Sequence, residues 1–346
     1  MKVEKIFFVG LGGAGQRHLR IFHRLLSPST PWIAYRRLEK TPLLNPDFSV
    51  DRKLTLEQKY NLQYVTSLKE GFAQKPDLVV IATPSSLHDE PAMEAAERGI
   101  HVFMEKPFSD RLRGFETFRE LVLYRRMAFF ISYQRRFHPY LQKIKRILEK
   151  KDLGKIIRAV FNVGSYVPSW HPYEDFKKLY ACRKDLGGGV LLTEIHELDL
   201  CYWFFGCPQS VYCAGGNFSV IKLDVEDTAQ VILKYKDFAA QVNLCFMQQK
   251  NQRDLYIAGT KGFVEWAADG NELKIQIYGS KAEIFSDPKL SHDDLFIAQA
   301  RYFLKNVSPK NSRENLAAAA ASLAIVVAAK ISMRKNRDIP VPKISE

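Results

Sequence analysis

The sequence holds no tract of eighteen uninterrupted apolar residues, no low-complexity run and no internal repeat. These absences argue against a continuous membrane span and against a disordered chain. Its five cysteines, Cys182, Cys201, Cys207, Cys213 and Cys245, are odd in number and form no C-x-x-C pair. No metal or dithiol site is therefore expected, and free thiols in a reducing compartment are. The start, Met1 to Lys5, is basic, but Glu4 interrupts it and the apolar run Ile6-Phe7-Phe8-Val9 is too short for the core of a signal peptide. We read that run as a strand and the chain as cytoplasmic.

What is present is the composition of a globular protein: 346 residues, 46% hydrophobic and 26% charged. That length is enough for roughly two domains, each with its own core. The net charge is +13, and a positive field of that kind draws anions. One stretch is dense, from Gln134-Arg135-Arg136 through Lys143, Lys145, Arg146, Lys150 and Lys151 to Lys155. Its apolar members Leu141, Ile144, Ile147 and Leu148 recur at helical spacing, so these charges are expected on the solvated face of an amphipathic helix. No nucleic-acid module accompanies them. A small sugar-like or anionic substrate suits the field, with neither nucleic acid nor membrane as partner.

Short strand-like runs (Ile6 to Gly10, Trp32 to Tyr35, Leu78 to Ala82, Val102 to Met104) alternate with helical stretches (Gln16 to Leu26, Pro91 to Arg98). This rhythm predicts βαβ units and a doubly wound parallel sheet over residues 1–130. The stretch Glu39 to Lys59 shows no placeable element. Residues 131–346 follow another plan: a basic helix, a strand at Ile156 to Val163, and a helix opened by Gly187-Gly188-Gly189. Five strand-like runs come next, Thr228 to Tyr235, Ala239 to Phe246, Asp254 to Ala258, Gly262 to Ala267 and Glu272 to Tyr278. They predict an α+β domain with an open, mostly antiparallel sheet, closed by an Ala-rich buried helix at Leu316 to Ser332. The fold class is α/β in two domains.

Gly10-Leu11-Gly12-Gly13-Ala14-Gly15 fits G-x-G-x-x-G between a strand and a helix. Such a turn brings bare amides to a pyrophosphate. An acid usually follows about twenty residues on, to bind the ribose hydroxyls of NAD. Here the second strand ends in Tyr35-Arg36-Arg37. Guanidinium groups bind a 2′-phosphate with forked hydrogen bonds, so NADP is the preferred cofactor and NAD the alternative.

Three further stretches complete a pattern: Thr83-Pro84-Ser85-Ser86-Leu87-His88, Glu105-Lys106-Pro107, and Gly187-Gly188-Gly189 leading to Thr193-Glu194-Ile195-His196-Glu197-Leu198-Asp199. With the N-terminal glycines, in this order, the chain resembles the Gfo/Idh/MocA oxidoreductase family. The resemblance implies a Rossmann domain followed by an open sheet that lines a substrate cleft, with homodimers or homotetramers formed through that sheet. It implies that Gly10, Gly12, Gly13, Ala14, Gly15, Thr83, Pro84, His88, Glu105 and Lys106 bind the cofactor. Lys106 and His196 would be catalytic, and Pro107 a candidate for a cis bond.

Chemically the assignment is coherent, because oxidising an alcohol needs a base within reach of its hydroxyl. Many members of the family place an aspartate three or four residues before the histidine, whereas this chain has Thr193 and Leu192 there. Glu194 falls on roughly the wrong face of a helix; Asp199, three residues after His196, could orient the imidazole instead, and the acid/base partner stays open at this point. The loop Ser169 to Asp175, continuing to Tyr180 and Arg183, precedes the glycines and is expected near the cleft. Trp170, His171, Tyr173, Arg183 and Thr193 are therefore candidate substrate contacts beside His196.

The resulting expectation is an NAD(P)-dependent dehydrogenase that exchanges hydride with an alcohol carbon of a sugar, cyclitol or nucleotide sugar. Two alternatives stand beside it: an NAD-dependent glycosidase of the same family, which would show no net change in nicotinamide absorbance, and a non-catalytic NADP-binding sensor.

Overall fold

The computed structural model describes residues 3–27, 29–36, 41–171, 173–306 and 308–342. The N-terminal sheet contains β1 (Ile6–Val9), β2 (Trp32–Tyr35), β5 (Leu62–Val65), β6 (Leu78–Ile81), β7 (His101–Glu105) and β8 (Phe129–Ser132), in the order β5-β2-β1-β6-β7-β8. Every pairing in it is parallel. All residues of β1 and β6 are buried, as a parallel sheet covered on both faces requires. The helices on its two faces are α1 (Gly13–Leu25), α3 (Leu68–Ala73), α4 (Asp89–Arg98) and α5 (Phe115–Tyr124).

The stretch the sequence left unplaced holds a small hairpin, β3 (Leu43–Leu44) with β4 (Val50–Asp51), followed by α2 (Leu56–Tyr60). Helix α2 opens on a capping box between Thr55 and Gln58, which satisfies two orphan amides of its first turn. So short an element carries too few apolar positions to show a period.

The second sheet has nine strands in the order β16-β15-β14-β13-β9-β12-β11-β10-β17. They are β9 (Ile156–Tyr166), β10 (Ser210–Gly216), β11 (Thr228–Lys234), β12 (Ala239–Cys245), β13 (Met247–Gly259), β14 (Gly262–Ala267), β15 (Glu272–Ile277), β16 (Glu283–Ser286) and β17 (Ile339–Pro340). Only β12 and β9 run parallel; their neighbours are antiparallel. Burial alternates along β11 and β12, so one face of the sheet is packed and the other is more open. Helices α6 (Pro139–Glu149), α7 (Val190–Thr193), α8 (His196–Phe205), α9 (His292–Asn306) and α10 (Ser312–Lys335) complete the chain. Strand β13 begins earlier than its sequence pattern, through a polar, largely exposed stretch with a register shift between Met247 and Gln252.

Helix α10 is long and apolar enough to cross a membrane by length and composition alone, yet most of its apolar stretch is buried inside the protein. Both of its ends are stitched to sheets. The Ser312 hydroxyl donates to the Met127 carbonyl and accepts from the Phe129 amide at the edge of the first sheet. The Ser332 hydroxyl accepts from the Cys213 amide in the second.

Candidate active site

The site begins at the crossover of the first sheet, where β1 sits between β2 and β6. In such sheets ligands bind beyond the carboxyl ends of the strands at this switch point. Gly10 has φ +94°, and a Cβ there would lie 2.6 Å from the Ala82 carbonyl oxygen; at Gly15 it would lie 2.2 Å from the carbonyl of Gly10. Only glycine permits these approaches. Gly12, by contrast, has nothing within 4 Å of its Cβ position, so the turn is open there. Ala14 lies in the first turn of α1. The Phe48 ring packs on Gly13, and Gln16 ties the hairpin to the turn by bonding the Leu11 and Pro42 carbonyls and the Leu44 amide.

At the end of β2, Arg36 Nη2 meets Glu57 Oε1 of α2 at 3.1 Å, and the guanidinium lies 4.1 Å from the centre of the Tyr64 ring. Arg37, the other expected phosphate ligand, lies outside the described residues.

Beyond β6, the Thr83 hydroxyl donates to the Leu87 carbonyl, while Pro84 leads into a 3₁₀ turn over Ser85–Leu87. His88 is buried, its ring nitrogens facing the carbonyls of Pro107 and Thr83 at 2.7 and 2.8 Å. Burial depresses its pKa below the usual histidine range. The histidine thus fastens one loop to the next. The Lys106–Pro107 peptide bond is cis. Glu105, at the end of β7, is held by His18 Nε2 at 2.6 Å and by the Ser132 hydroxyl. Against the cost of burial, His18 and the Lys106 ammonium keep its carboxyl at a pKa of about 2.

Lys106 Nζ donates to the Thr193 carbonyl at 2.7 Å, which joins the E-K-P turn to the glycine-led helix. That helix is broken. Helix α7 ends at Thr193, Glu194 departs from helical geometry (ψ 34°), and α8 starts afresh at His196. His196 is the first residue of α8, its ring buried, with Nε2 accepting from the Gln134 amide at 3.3 Å and Nδ1 without a partner among the described residues. Burial first, then the positive charges of Lys106, Arg253 and Arg135, hold its pKa well below the usual histidine range. The imidazole is neutral at ordinary pH. The Thr193 hydroxyl oxygen is also buried without a partner among the described residues.

Two expectations are corrected here. Asp199 does not orient His196: its carboxylate takes a forked bond from Arg136 at 2.9 and 2.8 Å and accepts from Ser322. Three positions along α8 carries Asp199 toward the inward-facing Arg136 and not toward the imidazole. Nor do Arg135 and Arg136 lie on a solvated helix face. They belong to a 3₁₀ turn, Gln134–Phe137, that precedes α6 and faces inward, because the helix starts only at Pro139, after both arginines. Burial and the neighbouring Arg253 lower the Arg135 pKa to about 9. Arg253 itself pairs with Glu194 at 2.5 Å and Glu197 at 3.2 Å.

The aromatic loop turns elsewhere. Trp170 packs edge-on against Phe246 at 5.3 Å. His171 stacks between Phe48 and Tyr173 at 5.2 and 5.3 Å, bridging toward the dinucleotide turn and not toward His196. Arg183 is exposed and paired with Asp185 two residues on. Sequence reasoning missed Gln134, Arg253, His18, Phe48 and Glu57. Their only signal was polar or aromatic character in segments without a motif.

Residues 5–126 match the oxidoreductase family with an NAD-binding Rossmann fold, and residues 141–285 match the GFO/IDH/MocA C-terminal domain. The chain is 25% identical over 248 residues to the myo-inositol 2-dehydrogenase of Thermotoga maritima, an alignment covering 70% of this chain and 66% of that relative. It superposes on a levoglucosan dehydrogenase solved with NADH and L-sorbose, with a TM-score of 0.79, 18% identity, and 99% and 100% of the two chains covered. The WlbA dehydrogenase of Bordetella pertussis, solved with NADH and UDP-GlcNAcA, gives 0.77 and 21%, with 99% and 100% covered. Matched in order across both of its halves, the chain belongs to the Gfo/Idh/MocA family of oxidoreductases.

Proposed function

We propose that this chain is a nicotinamide-dependent dehydrogenase acting on a secondary alcohol of a sugar, cyclitol or nucleotide sugar. The carrying observation is the bond from Lys106 Nζ to the Thr193 carbonyl, which sets an ammonium beside a neutral, buried imidazole just beyond the carboxyl end of β7 in the Rossmann sheet. The myo-inositol and levoglucosan dehydrogenases to which the chain is similar support the substrate class.

The residues present fit a dinucleotide. The open side of Gly12 and the first amides of α1 would hold the pyrophosphate, and the loop at Thr83, Pro84 and His88 would support the nicotinamide ribose. Bound there, a nicotinamide ring supplies the hydride acceptor or donor. His196, whose Nδ1 has no partner among the described residues and whose Nε2 meets only the long Gln134 contact, takes the hydroxyl proton. The Lys106 ammonium donates to the same oxygen and stabilises its developing negative charge. Thr193 offers a hydroxyl to the substrate. Trp170, His171, Tyr173 and Arg183 have no place in this contact set.

The homodimer or homotetramer that the resemblance implies would form through the more open face of the second sheet, and light scattering on the eluted protein reads its mass. The enzyme reading is tested by following nicotinamide absorbance with a panel of cyclitols, sugars and nucleotide sugars. Turnover that His196→Ala abolishes supports it; no absorbance change while sugar is released would favour the glycosidase instead.

A further inference from the structure

The pairing at the end of β2 bears on which dinucleotide the Rossmann turn accepts. Arg36 occupies the position from which a residue reaches the adenosine ribose. A free guanidinium there would welcome a 2′-phosphate. This one is not free. Its Nη2 is 3.1 Å from Glu57 Oε1, one face lies on Tyr64 at 4.1 Å, and only 14% of the side chain is exposed against 38% of Glu57. The aromatic stack and the ion pair therefore use a face and an edge of the fork, and the more accessible partner is the carboxylate.

Glu57 is fixed in this role by its helix. It lies in the first turn of α2, where the capping box of Thr55 and Gln58 sets the backbone. Its carboxyl is held below the usual range: burial opposes this, while its own backbone amide, Thr55 and Arg36 outweigh that cost. The group is an anion at neutral pH.

We infer that Glu57 is the residue that sets dinucleotide preference in this chain, discriminating against the 2′-phosphate of NADP and favouring NAD. The inference rests on the dehydrogenase reading, because it presumes that a dinucleotide binds the Gly10 turn. The carboxylate repels a phosphate at the ribose and engages the guanidinium that would otherwise bind it. Toward a ribose bearing free hydroxyls the same carboxylate is an acceptor, so it serves as the acid that the fingerprint lacks twenty residues after its glycines. It comes from a helix across the strand end and not from the strand itself.

Fluorescence titrations with NADH and NADPH measure this directly and need no substrate. The unaltered protein is expected to bind NADH more tightly. Glu57→Gln should raise NADPH affinity about tenfold, the effect of removing one repulsive charge and freeing one cation, while NADH affinity changes by less than about threefold. Adding Arg36→Ala to Glu57→Gln should cancel the NADPH gain, which a merely structural role for Glu57 would not produce. An unaltered protein that prefers NADPH, or a Glu57→Gln protein of unchanged melting temperature and unchanged NADPH affinity, overturns the inference. If neither dinucleotide changes the fluorescence, the dehydrogenase reading falls, and this inference with it.

Discussion

Lys106 and Thr193, 87 positions apart in the chain, are joined by a 2.7 Å bond from the lysine ammonium to the threonine carbonyl. The bond ties the first sheet to the broken helix of the second domain. It fixes a cation beside His196, and that cation is the second cause, after burial, of the imidazole's low pKa.

Replacing His196 by alanine is expected to lower kcat by roughly two to four orders of magnitude, the usual worth of a positioned general base. The dissociation constant for NADH should move by less than about threefold. Steady-state rates and fluorescence titration on one preparation check both.

Asp199→Ala is expected to act on stability instead. It strands the Arg136 guanidinium, whose forked partner it is, and an uncompensated buried charge costs about 3–5 kcal/mol. Urea unfolding should show that loss. The pH profile of any residual turnover should keep its shape, since Asp199 does not touch the imidazole.

The two glycines of the turn should separate folding from binding. Gly15→Ala drives a Cβ to 2.2 Å from the Gly10 carbonyl and should cost about 3 kcal/mol of stability. Gly12→Ala meets nothing within 4 Å. It should leave stability within about 0.5 kcal/mol while weakening dinucleotide affinity about tenfold or more, because the methyl enters the space the pyrophosphate needs. Melting curves and titrations distinguish the two.

Acid should destabilise the protein through His138. Burial first, then the Arg135 charge, lower its pKa from 6.5 to about 4. Its Nδ1 accepts from the Tyr140 amide at the start of α6. A depressed histidine gives stability that is fully present above pH 6.5 and is lost as pH falls toward 4, where the unfolded chain binds a proton that the folded one refuses. The shift corresponds to about 3 kcal/mol. His138→Asn should flatten the fall of melting temperature across that window; an unchanged slope would refute the assignment.

The parallel sheet was legible because Ile6 to Val9 and Leu78 to Ile81 are continuous apolar runs, and because glycine at positions 10 and 15 is demanded by close backbone approach. Motif order singled out His196 and Lys106, and the fold brings their two segments together at the Thr193 carbonyl. Two other features were not. Asp199 and Arg136 find each other across 63 positions, and local spacing says nothing of such a pair. Arg36 looked free because its partner Glu57 sits on a five-residue helix, too short to announce itself. The inward turn at Gln134–Phe137 was hidden because a charge run reads alike whether its side chains face water or a cleft.

The stitching of α10 has a consequence for how the protein is made. The Phe129 amide at the edge of the first sheet waits for Ser312, 183 positions later, and the Ile131 amide waits for Asn315. A ribosome that has released the whole Rossmann half has therefore not yet released the groups that close its last strand. Nascent chains stalled before α10 should expose that strand to proteases, and protection should arrive only with the final helix.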